Sequence, residues 1–176
     1  MANYYSLSYV DDDSLGVGCT DDSLSFDLLA ERKVEQTWKP IDFILEAGEF
    51  ADYQPNDLGW SLCSEKLKTI IEQEASPNDF IQWLEARVIS NTDKRPYFVL
   101  YLPVRFDVLD ETKTIYVEGT DFVIKPYFCE SKCKPHRVFS YPSAESMVIV
   151  SDQVKNAIIQ KGCTGIEFLK KPLSKC

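Results

Sequence analysis

The residues best suited to chemistry in this 176-residue chain are Cys129, Cys133 and His136. Two thiolates four positions apart, with an imidazole three positions later, could ligate Zn²⁺ if Cys163 or Cys19 supplied a fourth ligand. Structural zinc sites usually carry a second closely spaced pair, which this sequence lacks. Cations beside the thiols could favour thiolates, but they equally suit an exposed basic loop: Lys132, Lys134 and Arg137. The exposed loop is the favoured interpretation, and a small zinc-binding module is the alternative.

Asp107 and Asp110 are the next candidates, because paired carboxylates can divide acid and base work between them. On a strand, a spacing of three residues places two side chains on opposite faces, so these two would not converge on one substrate. Asp110 is better explained as a turn residue whose carboxylate accepts from nearby backbone N–H groups. We therefore expect Asp107 and Asp110 to have structural and not catalytic roles.

Nucleophilic catalysis has little support in the sequence. His136 is the only histidine, and no Gly-x-Ser-x-Gly elbow is present. Gly16-Val17-Gly18 lacks the third glycine, the basic residue and the preceding buried strand of a phosphate-binding loop. The chain is therefore interpreted as a binding protein that is not an enzyme and needs no cofactor.

Charge is distributed unevenly along the chain, whose net charge is −9. Residues 1–124 carry 24 acidic and 10 basic side chains, whereas residues 125–176 carry 4 acidic and 9 basic ones. Acidic residues are dense in the N-terminal segment 1–40, where five are candidates for partner binding: Asp11, Asp12, Asp13, Asp21 and Asp22. Such a surface repels nucleic acid and attracts basic proteins. Charge patterning alone favours a solvated loop that aids solubility.

Size and composition set further expectations. A chain of 176 residues with 44% hydrophobic content is predicted to form a single domain over 1–176. No export signal is recognised at the N-terminus, and no apolar run reaches the roughly 18 residues of a membrane span. A cytoplasmic location without a membrane partner is therefore expected, with all six cysteines reduced.

Two matching segments lie 87 positions apart and are predicted to begin helices. Ser64 and Ser151 are each followed by an acid, which suits an N-cap and the positive end of a helix dipole. The second helix is expected to stop at Gly162. Each helix precedes a short apolar segment that ends in an aromatic residue and leucine. The repeat indicates either an internal duplication of a helix–strand unit or two helices packing in similar roles.

Alternating and β-branched residues predict several strands and one weak helix. Two hairpins have the clearest patterns, 80–90 with 96–104 and 114–117 with 122–125. The remaining candidates are strands at 4–10, 41–45, 137–141 and 147–150, and a helix within 25–37. Antiparallel hairpins with two or three short helices indicate an α+β fold.

Four stretches together resemble a known family. The segment from Val148 to Phe168 is similar to the closing motif of bacterial immunity proteins of polymorphic toxin systems, the immunity protein eleven type. Three others fit the same pattern: 62–67, 106–110 and 136–139. The resemblance covers a family-like core of 41–170, and excludes the Asp-rich opening and Cys129–Cys133. It implies a non-enzymatic protein that binds a co-encoded toxin and blocks its activity inside the producing cell or its siblings.

The leading hypothesis combines the resemblance with the charge. An acidic surface at Asp11, Asp12, Asp13, Asp21 and Asp22 would engage a basic surface of a cognate toxin and neutralise it by occlusion. The alternatives are the zinc-binding module and a structural or regulatory partner protein unrelated to toxins.

Overall fold

The computed structural model describes residues 3–21, 29, 33–142 and 147–176. These residues form three helices: α1 (Glu65–Glu74), α2 (Glu130–Cys133) and α3 (Asp152–Gln160). Strands of the N-terminal half are β1 (Tyr4–Tyr9), β2 (Gly18–Cys19), β3 (Ile41–Leu45), β4 (Tyr53–Gln54), β5 (Leu62–Ser64), β6 (Gln82–Ile89) and β7 (Lys94–Tyr101). Those of the C-terminal half are β8 (Ile115–Tyr116), β9 (Val123–Lys125), β10 (Phe128–Cys129), β11 (Val138–Phe139), β12 (Ile149–Ser151), β13 (Ile166–Lys170) and β14 (Leu173–Ser174).

Both predicted helix starts are confirmed. Ser64 has extended backbone, and its hydroxyl accepts from the N–H of Leu67 at 3.2 Å, so it is a true N-cap of α1. Ser151 has the same backbone conformation, but within the described first turn of α3 its hydroxyl makes no capping bond. The neighbouring Asp152 carboxylate accepts from the backbone N–H of Asn3, outside the helix, at 3.1 Å. Gly162, with a φ of 62°, follows the end of α3 as predicted.

The two helices occupy the same place in two similar units. In the first, β5 and β6 flank β7 and are both antiparallel to it, and α1 connects them. In the second, β12 and β13 flank β1 in the same way, and α3 connects them. Each unit is thus a split β-α-β arrangement with one strand inserted. The repeated sequence pattern corresponds to this repeated topology, and α1 packs against α3.

The described strands form two main sheets, in the orders β2-β3-β6-β7-β5-β4 and β11-β12-β1-β13. Most pairs of named strands are antiparallel, as expected for α+β; β3 with β6 and β10 with β14 are parallel. Because side chains alternate along a strand, each sheet contributes to two cores. In β1, Leu7 faces a central core shared with α1 and α3, whereas Tyr4 faces a separate core with Phe128 and Phe139. In β7, Leu100 faces the central core and Val99 faces an outer core around Phe43.

Both predicted hairpins are present. β6 and β7 pair from Gln82 with Tyr101 to Ile89 with Lys94, so β7 begins two residues before the predicted start. β8 and β9 form the second hairpin, with a register irregularity at Ile115 and Tyr116. Much of the predicted helix within 25–37 lies outside the described residues, but the described residues 33–37 are not helical, so the prediction is wrong for that end. Among the described helices, none is both long and apolar enough to cross a bilayer.

Candidate functional site

Three of the predicted binding residues lie on the loop between β1 and β2. Asp11, Asp12 and Asp13 are all exposed. The Asp12 carboxylate accepts from the backbone N–H of Ser14 at 2.9 Å and from its hydroxyl at 2.7 Å. These hydrogen bonds lower the pKa of Asp12, because they favour its charged form. The loop is therefore ordered locally by the ionised carboxylate of Asp12.

This loop is fixed to the loop that follows β3. Gly16 N–H donates to the Glu49 carbonyl at 3.1 Å, and Glu49 N–H donates to the Ser14 carbonyl at 2.8 Å. The approach is close, since a Cβ on Gly16 would lie 2.1 Å from the carbonyl oxygen of Ala47. Gly48 has a φ of 83°, a conformation that glycine adopts at little cost. The two loops therefore form one continuous surface.

Gln54 anchors the loop between β1 and β2 from the protein interior. Its side chain is fully buried, its Nε2 donates to the Gly16 carbonyl at 2.5 Å, and its Oε1 accepts from Ala51 N–H at 2.9 Å. A buried amide with both ends bonded holds its neighbours in a defined position. Sequence reasoning missed Gln54, because nothing in the local pattern shows that it reaches a loop 38 residues away.

The second loop adds two exposed acids, Glu46 and Glu49, to the three aspartates. We call these five residues the acidic edge: Asp11, Asp12, Asp13, Glu46 and Glu49. They come together because β2 pairs with β3, with Gly18 opposite Leu45. This pairing is long-range, so the sequence did not reveal the two glutamates. Asp21 is exposed a few residues further along, and Asp22 lies outside the described residues.

A cleft of about 510 Å³ lies between the loop of Glu46 and Glu49 and the β6–β7 turn. Its lining includes Glu46, Glu49, Asp93 and Arg95. Arg95 Nε donates to the Asp93 carboxylate at 2.7 Å, and the guanidinium lies 4.0 Å from the centre of the Phe50 ring. The Arg95 charge is thus partly offset by Asp93, while the two glutamates remain exposed. A cationic side chain from a partner would find complementary charge here.

The structure does not bring the candidate zinc ligands together. Cys129 forms a disulfide with Cys176, which also makes the expectation of fully reduced cysteines wrong for this pair. Cys133 is buried, and burial raises the pKa of its thiol to about 12, against the thiolate that a metal needs. His136 lies against Phe106, with ring centroids 3.9 Å apart, and its Nδ1 is 3.4 Å from an Asp79 oxygen. Among the described residues, no cluster of three or more such ligands is arranged to hold a metal.

Asp107 and Asp110 have separate structural roles. Asp110 accepts from the backbone N–H of Thr112 at 3.0 Å and from its hydroxyl at 2.6 Å, which confirms the predicted turn. The Ser174 hydroxyl donates to the other Asp110 oxygen at 2.5 Å. Hydrogen bonds from Ser174 and Thr112 lower the pKa of Asp110 to about 2. Asp107 is exposed and forms an ion pair with Lys132 at 2.8 Å.

The geometry defines an α+β scaffold whose ordered loops present an acidic edge beside a cleft. Comparison with protein families matches residues 31–171 to the Immunity protein family (Imm11), and the chain belongs to this family. The resemblance found in the sequence is thereby confirmed. A comparison with curated proteins gave no match. The matched range includes Glu46 and Glu49 but begins after the three aspartates.

Proposed function

We propose that this chain is an immunity protein that binds a cognate secreted toxin and neutralises it by occlusion, without catalysis. The single observation that carries the proposal is membership of the immunity family over residues 31–171. The cognate toxin is the expected partner, and it would act inside the cell that makes both proteins.

The acidic edge is the proposed toxin-binding surface. Its five carboxylates would steer a basic protein surface toward the cleft, because complementary charge accelerates encounter. The backbone bonds between the two loops and the buried Gln54 hold this surface in place before binding, so little conformational entropy is lost on association. The same negative surface would repel nucleic acid.

The first step of the test is to find a reading frame beside the gene for this chain that encodes a toxin domain, and to clone that domain. Co-expression of the chain with this domain should restore growth that the domain alone prevents, and the two proteins should co-purify. Failure of both results would overturn the proposal. A growth rescue without a complex would also overturn it, since occlusion requires binding.

The non-catalytic part of the proposal needs a separate measurement. Toxin activity should fall linearly as the chain is added and reach zero at a fixed stoichiometric ratio of the two proteins. Toxin inactivated by a small fraction of an equivalent would instead indicate an enzymatic antagonist.

A further inference from the structure

The β8–β9 hairpin carries an apolar face that the described residues leave exposed. The exposed fractions are 49% for Ile115, 39% for Val117, 61% for Phe122 and 62% for Ile124. Val123 alternates with these residues and packs against the core around Phe128 and Phe139. One side of the hairpin therefore faces the protein and the other faces outward.

This hairpin is attached mainly at its base. Thr114 N–H donates to the Asp110 carbonyl at 2.8 Å, and Tyr127 N–H donates to the Thr114 hydroxyl at 3.2 Å. The described β8 and β9 pair only with each other. A two-stranded hairpin is marginally stable in water, and a contiguous exposed apolar patch usually marks an interaction site. Covering the outer face would stabilise the hairpin.

We propose that a second copy of this chain covers this face, with the two hairpins packed antiparallel about a twofold axis. The argument comes from the charges that border the face. Lys125 lies at the base of the hairpin and Glu118 lies at its turn, and both are exposed. In an antiparallel pair, Glu118 at the turn of one copy lies beside Lys125 at the base of the other. The face is thus complementary to itself, as a twofold interface requires.

The hairpin and the proposed toxin-binding surface are attached to different parts of the fold. The acidic edge is attached to β2 and β3 of the six-stranded sheet, whereas the hairpin packs by Val123 on the core beyond the four-stranded sheet. A dimer formed through the hairpins would present two acidic edges, and its formation does not depend on the proposed function.

Sedimentation velocity on the full chain tests the proposal from about 1 to 200 µM, a range that detects micromolar dissociation constants. The chain should sediment as a dimer at high concentration. A variant with Phe122→Ser and Ile124→Thr should weaken dimerisation at least about tenfold. Ile159→Thr is the matched control, because Ile159 is 55% exposed on α3 and away from the hairpin. A wild-type monomer throughout, or a hairpin variant that dimerises normally, would overturn the proposal.

Charge reversal tests the antiparallel arrangement independently of apolar contacts. Lys125→Glu and Glu118→Lys should each weaken dimerisation, and the double variant should restore it, because each interface pair is then reversed at both ends. Thermal unfolding of every variant is the control that checks whether the fold is retained. If the double variant stays monomeric, the antiparallel packing is wrong. If the variant with Phe122→Ser and Ile124→Thr has the same oligomeric state as the wild type but no longer binds the toxin, the apolar face binds the toxin and not a second copy.

Discussion

Asp52 and Thr164 are hydrogen bonded to each other in both directions. The Thr164 backbone N–H donates to the Asp52 carboxylate at 3.0 Å, and the Asp52 backbone N–H donates to the Thr164 hydroxyl at 3.1 Å. The same carboxylate accepts from the Ser64 hydroxyl at 2.6 Å and from Lys66 Nζ at 3.2 Å. Asp52 therefore joins the start of α1 in the first unit to the entry of β13 in the second.

Replacing Asp52 should destabilise the protein, because the hydrogen bonds that connect the two units are lost. Asp52→Ala removes the acceptor of Ser64, Thr164 and Lys66 in a partly buried place, and a loss of about 2 kcal/mol is expected. Urea unfolding measures this loss in the free energy of unfolding. Asp107→Ala is the control, because Asp107 forms only an exposed ion pair, whose loss should cost under about 1 kcal/mol. Equal effects of the two substitutions would contradict a connecting role.

Local signals in the sequence predicted much of the fold. Ser64 and Ser151 mark helix starts because the first helical turn needs acceptors, and that need acts over only a few residues. The hairpins were predictable for the same reason, since alternation and turn residues are local. The serine repeat indicated either a duplicated helix–strand unit or two helices in similar roles, and the strand pairing shows two units of the same topology.

Features that depend on distant residues could not be predicted. The acidic edge needs the β2–β3 pairing to place Glu49 beside Ser14, and its support needs Gln54 to reach Gly16. The disulfide joins residues separated by 47 positions, which spacing alone does not reveal. The helix α2 has four residues, too few for a periodic pattern. The three aspartates could be named as binding candidates from the sequence because charge is visible without a fold.

Acid should destabilise the protein partly through Asp110. Its pKa is about 2 in the folded protein against an ordinary value of 3.8, so folding favours the ionised form. The stabilisation is fully present above about pH 4 and is lost as the pH falls toward 2. The melting temperature of the wild type should therefore fall more steeply over this range than that of Asp110→Asn. Parallel curves for the two proteins would show that the carboxylate contributes nothing to acid sensitivity.

Reduction of the Cys129–Cys176 disulfide should lower stability. The bond closes a long loop, and in the chain-entropy model its loss costs up to about 4 kcal/mol. Dithiothreitol should lower the urea midpoint of unfolding of the wild type. It should leave the midpoint of the Cys176→Ser variant unchanged. Cys19→Ser is the control, because Cys19 is a free exposed thiol. A thiol assay of the unfolded, unreduced protein should find four free thiols. Six would show that the bond is not formed.

Neutralising the aspartates of the acidic edge should slow association with the proposed toxin. Asn at Asp11, Asp12 and Asp13 removes three charges while an amide oxygen can still accept from Ser14, so the loop should keep its shape. We expect about tenfold slower association at low salt and a flatter dependence on salt, with dissociation little changed. The control changes the net charge equally at other exposed positions, with Gln at Glu85, Glu111 and Glu167. Stopped-flow binding at several salt concentrations makes the comparison. If both triple variants slow association equally, overall charge steers the toxin and the acidic edge has no special role.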